Sequence, residues 1–281
     1  MKYKIYQVYY EETQKKFLNS EFTPFDNTFN KKPNLFEYYL FFIGYKQAIS
    51  ENLSHWGLFS WKWESKCKIK PQQFIEFIES NPNQDVYVMN WAPYKESIYD
   101  NIWNQGEHCH PGLIYIFNKL LKKIGFESYT IGNIIMDRKT FCFSSYFVAS
   151  KKFWKDYLTF LKKIKFIIDN DVELKILIYQ KTTYYNHQLH SFFPFLIERL
   201  FSTFLVMYYG DYCILNYPYD FSIYKKYIGD DYKELEKCSE IKSKICKSLY
   251  QNDMIMVNKY QKDLKNQMKK IILPIQIPDY D

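Results

Sequence analysis

The hydrophobic positions of this chain change rhythm repeatedly, and each change marks an element. Residues 2–10, KYKIYQVYY, form a β-branched and aromatic run of strand length, which predicts a buried first strand. Pro24, Asp26, Asn27 and Asn30 then mark a loop between Glu21 and Lys32. After Pro33, NLFEYYLFFIGYKQAIS repeats its apolar residues at helical spacing, with Asn30 or Asn34 as cap residue. HWGLFSW returns to a short strand and ends where KWESK turns polar. Pro71 opens a second helix carrying Phe74, Ile75, Phe77 and Ile78, which Asn81-Pro82-Asn83 stops. DVYVMNW predicts a third strand, ended by Ala92-Pro93.

From Ser97 to the segment GEHCHPG the chain reads as helical or irregular. Leu113 to Ile124 predicts an amphipathic helix closed by Gly125. SYTIGNIIM and TFCFSSYFVAS read as strands or strand–loop pieces. Lys151 to Phe166 predicts a helix with Phe153, Trp154, Tyr157, Leu161 and Ile164 on one side. HSFFPFLIERLFSTFLVMY predicts a mostly buried helix, kinked or started at Pro194. Lys-rich helix follows from Asp231, and LPIQIPDYD forms an extended tail. Strands alternating with helices over residues 1–210 predict an α/β sandwich with a mainly parallel sheet. The division expected is a main domain over 1–230 and a basic helical extension over 231–281.

Composition adds three constraints. With 281 residues, 47% hydrophobic and 25% charged, the chain can bury a large core and is not disordered. The formal charge of +7 is uneven: residues 233–270 hold ten lysines against five acidic residues. That basic stretch lies apart from the tryptophans, which argues against a nucleic-acid groove; such a helix is more often a solvated face, and the sharper reading is attraction to an anionic membrane surface or acidic partner. The six cysteines form no CxxC and no regular framework, as expected of reduced thiols in a cytoplasmic protein. MKYKIYQVYYEE reaches charge too early for a signal peptide, and no apolar run is long enough to predict a membrane span.

Candidate chemistry concentrates between His55 and His110, where five of the six tryptophans and three of the five histidines lie. Indoles flanked by Lys, Glu, Asn and His suit a surface that stacks flat polar ligands, although for any single ring a Trp-rich core is the favoured account. P-loop, GxGxxG, HExxH and GxSxG spacings are all missing from the sequence. His108, His110 and Glu107 precede Pro111-Gly112 and a helix, a polar loop suited to binding phosphate oxygens or to capping that helix. Asp169 and Asp171 have the look of a metal-binding DxD, but they continue a helix and read as its end. Glu198-Arg199 places charge inside an apolar helix, either as a structural ion pair or as a general base facing an acceptor.

KIYQVYY, NLFEYYLFFIGYKQ, HWGLFSWKW, CFSSYFVASKKFWKDYLTFL and FFPFLIERLFSTFL, taken in this order, carry a resemblance. Together with DVYVMNWAP and WNQGEHCHPG, this order resembles bacterial glycosyltransferase-like proteins of capsule and lipopolysaccharide gene clusters. The resemblance spans residues 1–210. It implies a GT-A-like fold in which a Rossmann-type half binds a nucleotide sugar and the other half receives a glycan or lipid-linked acceptor. Trp56, Ser60, Trp61, Lys62 and Trp63 would line the cleft, and Ser144-Ser145-Tyr146 would lie near the sugar. On this reading Glu198 and Glu107 are the candidate catalytic carboxylates. His108, His110, Lys62 and Asn90 are assigned to the donor and its diphosphate, and Trp61, Trp63, Trp91, Ser144, Tyr146 and Arg199 to sugar or acceptor. Mn2+ or Mg2+ is the cofactor such enzymes imply, although the DxD is weak. The basic C-terminal helices would hold the protein at the inner face of the membrane. The rival expectation is a non-catalytic carbohydrate-binding or assembly protein on the same fold.

Overall fold

The computed structural model describes residues 1–125, 133–183, 189–218 and 220–271. Its strands are β1 (Tyr3–Tyr9), β2 (Thr23–Asp26), β3 (His55–Ser60), β4 (Val86–Val88), β5 (Phe147–Ser150), β6 (Lys181–Thr183), β7 (Leu189–Ser191) and β8 (Ile214–Asn216). Six of them form one sheet in the order β2-β1-β3-β5-β4-β8, while β6 and β7 pair separately. β1 is parallel to β2 and β3, and β4 is parallel to β8. Within this sheet only β5 runs against its neighbours.

The helices are α1 (Phe36–Ser50), α2 (Trp63–Cys67), α3 (Pro71–Ser80), α4 (Pro93–Ile98), α5 (Ile102–Cys109), α6 (Leu113–Lys123), α7 (Lys151–Asn170), α8 (Val172–Tyr179), α9 (Phe192–Met207), α10 (Lys225–Ile228), α11 (Tyr232–Tyr250) and α12 (Met254–Met268). Because successive strand residues face opposite sides, each strand feeds two cores. Tyr6, Val8, Trp56, Leu58, Val86, Val88, Phe147 and Ala149 face α1, α5, α6, α7, α8 and α9. Ile5, Phe59, Tyr87, Met89 and Val148 face α2, α3, α4, α11 and α12. The result is an α/β/α sandwich with a mostly parallel sheet, buried on both faces as such sheets are. Within the first core Trp56 and Trp154 stack at 3.9 Å, and the Trp154 indole N–H donates to the Trp56 carbonyl at 2.8 Å.

Several elements differ from the pattern-based expectation. The presumed loop over 21–32 contains β2, an edge strand of four residues in which Phe25 alone is buried and which tolerates Pro24. GEHCHPG is not a loop: α5 continues through Glu107, His108 and Cys109 before turning at His110. α9 begins at Phe192, so Pro194 sits harmlessly in its first turn, where no intrahelical donor is needed. Of TFCFSSYFVAS only Phe147–Ser150 is strand, because Ser144 takes a left-handed φ of 67°. SYTIGNIIM lies partly and LPIQIPDYD wholly outside the described residues, and Ile134–Met136 are not strand.

The lysine-rich C-terminal helices pack onto the second face. α11 buries Leu235, Cys238 and Ile245 against it and lies on α4. There Lys242, 1% exposed, faces the fully buried Glu96 at 3.6 Å and donates to the carbonyl of Tyr99 at 2.7 Å. Desolvation makes one member of such a pair expensive without the other. Lys242→Met alone is therefore expected to cost about 3–5 kcal/mol in denaturant unfolding. Adding Glu96→Leu should recover most of that loss; a double variant as unstable as the sum of both single changes would exclude a coupled pair. Among the described residues no helix is long and apolar enough to cross a membrane.

Candidate functional site

Strand order reverses around β1, whose neighbours are β2 on one side and β3 on the other. In open α/β sheets the ligand crevice lies at the carboxyl ends of the strands near such a reversal. At that edge β3 delivers Trp61 and Lys62, and α2 follows at once with Lys66. β4 delivers Asn90 and Trp91, and α4 follows with Lys95. β5 is antiparallel, so the residues before it lie at the same edge, and the Met89 N–H donates to the Tyr146 carbonyl at 2.8 Å. Glu37 enters in the first turn of α1 and Glu198 in the second turn of α9.

A chain of hydrogen bonds joins three of these elements. The Trp91 indole N–H donates to Ser144 Oγ at 3.0 Å, and that hydroxyl donates to Glu198 Oε1 at 3.4 Å. The other Glu198 oxygen lies 3.5 Å from Arg199 Nη1. Glu198 keeps 32% of its side chain exposed while Arg199 keeps 3%, so the carboxylate is open to a ligand and the guanidinium is not. Two residues beside these groups hold left-handed backbone that favours glycine: Ser144 at φ 67° and Phe36, next to Glu37, at φ 46°. Strain of this kind, about 1–3 kcal/mol each, concentrates at functional sites and persists only where packing enforces it.

Cations gather on the indoles. Lys66 Nζ lies 5.3 Å from the centroid of Trp91, and Lys95 Nζ lies 5.6 Å from the same ring and 4.5 Å from Phe143. Lys62 Nζ lies 5.4 Å from Trp61, whose ring is tilted against Phe17 at 5.3 Å. Burial, the largest effect on Lys66, lowers its pKa; Glu198 and Glu37 act against that and Lys62 adds to it. Glu37 is raised, first by burial and then by the Glu198 charge, with its own backbone N–H and Lys66 opposing. Lys66 thus feels two carboxylates and a second lysine.

The raised Glu37 carboxyl has a consequence for stability. A carboxyl that holds its proton more tightly in the folded state lends stability at acid pH. That stability is lost as pH climbs from the ordinary value of 4.5 through the raised folded value. Glu37→Gln is expected to remove this decline and to raise the melting temperature relative to the native chain at neutral pH. Melting curves taken from about pH 4 to about pH 8 test it, and parallel profiles for the two proteins would exclude the assignment.

The structure keeps Trp61, Lys62, Trp91, Ser144 and Glu198 at this edge and withdraws other candidates. Both Glu107 oxygens accept backbone N–H groups at the start of α6, from Gly112 at 2.7 Å and Ile114 at 2.8 Å, so this side chain caps a helix. Arg199 donates to the carbonyls of Ile102 (3.2 Å) and Phe195 (2.8 Å) and to Gln105 Oε1 (2.8 Å), which ties α9 to α5 inside the protein. Trp63 is fully buried and stacked on Phe59 at 4.7 Å, and Tyr146 packs edge-on against both rings. Asn90 is buried, donating to the Phe141 carbonyl at 2.9 Å and accepting the Ala92 N–H at 3.3 Å. His110 is buried and stacked on Phe195 at 3.7 Å, whereas His108 is exposed on the last turn of α5.

Glu37, Lys66 and Lys95 were not singled out by sequence reasoning. Lys66 stands one helical turn after Lys62, and Lys95 four residues after Trp91 beyond a helix-opening proline, so spacing alone offered a signal. The two aspartates with the look of a DxD are engaged structurally. Asp169 is paired with Lys165 at 2.5 Å, and Asp171 caps α8 through Leu174 N and pairs with Lys123 at 2.9 Å. Among the described residues no three His, Cys, Asp or Glu side chains converge on a common point. Comparison with protein-family models, curated proteins and solved structures finds no match for this chain.

Proposed function

We propose that this protein is a glycosyltransferase on a GT-A-like version of the sandwich. It moves a sugar from a nucleotide-sugar donor to a capsule or lipooligosaccharide acceptor. The observation that carries the reading is the Trp91–Ser144–Glu198 chain, which places an open carboxylate at the crevice edge of a mostly parallel sheet. Glu198 accepts the proton of an acceptor hydroxyl as that oxygen bonds to the anomeric carbon. The bond from that carbon to the diphosphate oxygen breaks, and its electron pair leaves with the diphosphate. Ser144 orients the carboxylate, and Trp91 fixes Ser144. Exposed lysines on α11 and α12, among them Lys244, Lys247, Lys259 and Lys262, would hold the protein at the inner face of the cytoplasmic membrane, near a lipid-linked acceptor.

Trp61, half-buried and backed by Phe17, favours a second reading, a carbohydrate-binding protein on the same fold without turnover. One experiment separates the two. The purified protein is incubated with a panel of nucleotide sugars, with and without manganese, and both binding and release of nucleoside diphosphate are measured. Donor binding with release of nucleoside diphosphate is the expected result. Glycan binding without any release would support the second reading, and no binding or hydrolysis of any donor would sink the first.

A further inference from the structure

The reading as a transferase leaves one requirement open. A departing diphosphate carries negative charge that must be neutralised; Asp169 and Asp171 are paired with lysines elsewhere, and no three metal-ligating side chains converge among the described residues. Lysines occupy the crevice edge instead. Lys66 is half-buried, its ammonium rests on the face of Trp91, and it makes no ion pair among the described residues. Lys95, 7% exposed, holds its ammonium against the same indole and against Phe143. Lys62 is one turn before Lys66 on the same short helical segment, whose first bond runs from the Lys66 N–H to the Lys62 carbonyl at 3.0 Å. For Lys66, removal of the ammonium from water without a carboxylate partner is unfavourable, and a bound anion restores what is lost. Glu198, held on Ser144, lies near enough to bias Lys66 electrostatically. The two signs therefore meet at one edge, as a ligand with an anionic end and a hydroxyl-bearing end requires.

We propose that Lys66 and Lys62, resting on the indoles of Trp91 and Trp61, bind a diphosphate directly and take the place of a divalent cation. This rests on the transferase reading for its role in turnover, but not for binding itself. When the bond between the sugar and the diphosphate breaks, the electron pair stays on the diphosphate oxygen and the two ammonium groups balance part of its charge. No proton need move to the leaving group.

The test uses the full chain and inorganic pyrophosphate, titrated calorimetrically in the presence of EDTA. Binding is expected with EDTA present and should weaken as salt rises. Lys66→Met should weaken it by about tenfold or more, while Lys66→Arg should keep most of it. Circular dichroism checks that both variants fold. Binding that appears only when manganese or magnesium is added would overturn the proposal and leave the transferase reading intact. Pyrophosphate binding that depends on Lys66, without turnover of any nucleotide sugar, would sustain the site and count against the transferase. A nucleoside diphosphate and a short isoprenyl diphosphate, compared as competitors, identify whether donor or lipid-linked acceptor supplies the group. Competition by neither would overturn the assignment to a substrate diphosphate.

Discussion

Glu198→Gln is expected to lower turnover by about 10²–10⁴-fold, the usual worth of a positioned general base. The amide has the same shape and still accepts the Ser144 hydroxyl through its oxygen, but it cannot take a proton from an acceptor. Donor binding should change little, because the lysines proposed to hold its diphosphate are on α2 and the segment leading into it. Stability should also change little. The carboxylate is 32% exposed and its 3.5 Å approach to Arg199 is only one of several contacts that guanidinium makes. The separation expected is therefore a loss in kcat with KM for the donor and melting temperature held. Steady-state kinetics with the donor found in the panel would show it. Turnover within a few-fold of the native protein would remove Glu198 from the mechanism. Ser144→Ala, which leaves the base in place but frees its orientation, should fall between the two.

Much of the scaffold was legible because burial and period agree in it. α1, α3, α6 and α7 were readable from their apolar spacing, and β1 and β3 from β-branched and aromatic runs. β2 was not, because an edge strand needs only Phe25 inward and hides its pairing in the backbone. α8 and β8 are short and take their stability from packing that no local pattern records. At the site the same distinction applies. Glu198, Ser144 and Trp91 were recoverable, since a carboxylate in an apolar helix and an indole after a strand are local anomalies. Glu107, Asn90 and Arg199 were anomalies of the same kind, yet their partners are mostly backbone groups, and a sequence carries no mark of those. Lys66 and Lys95 look like any surface lysine until the chain brings both to one indole.

Gly106→Ala should be strongly destabilising. Gly106 lies inside α5, where alanine is ordinarily the better residue by about 1 kcal/mol. Here a Cβ would press on Arg199 Nε, come within 2.7 Å of Leu113 Cδ2 and within 2.9 Å of Arg199 Cζ. A flexible arginine tip would swing away, but this one is held by Ile102, Phe195 and Gln105 and has no solvent to enter. Making room means breaking those bonds and leaving a buried charge badly paired. The combined cost is about 3 kcal/mol or more, or roughly 5–10 °C in melting temperature. Because Arg199 adjoins Glu198, displacement of the guanidinium should also reduce turnover at temperatures where the variant is still folded. Arg199→Leu supplies the control: if the collision with the guanidinium is the cause, Gly106→Ala costs much less in that background than in the native one. Equal costs in both backgrounds would locate the damage at Leu113 instead, and would detach the α5–α9 clamp from the geometry of the carboxylate.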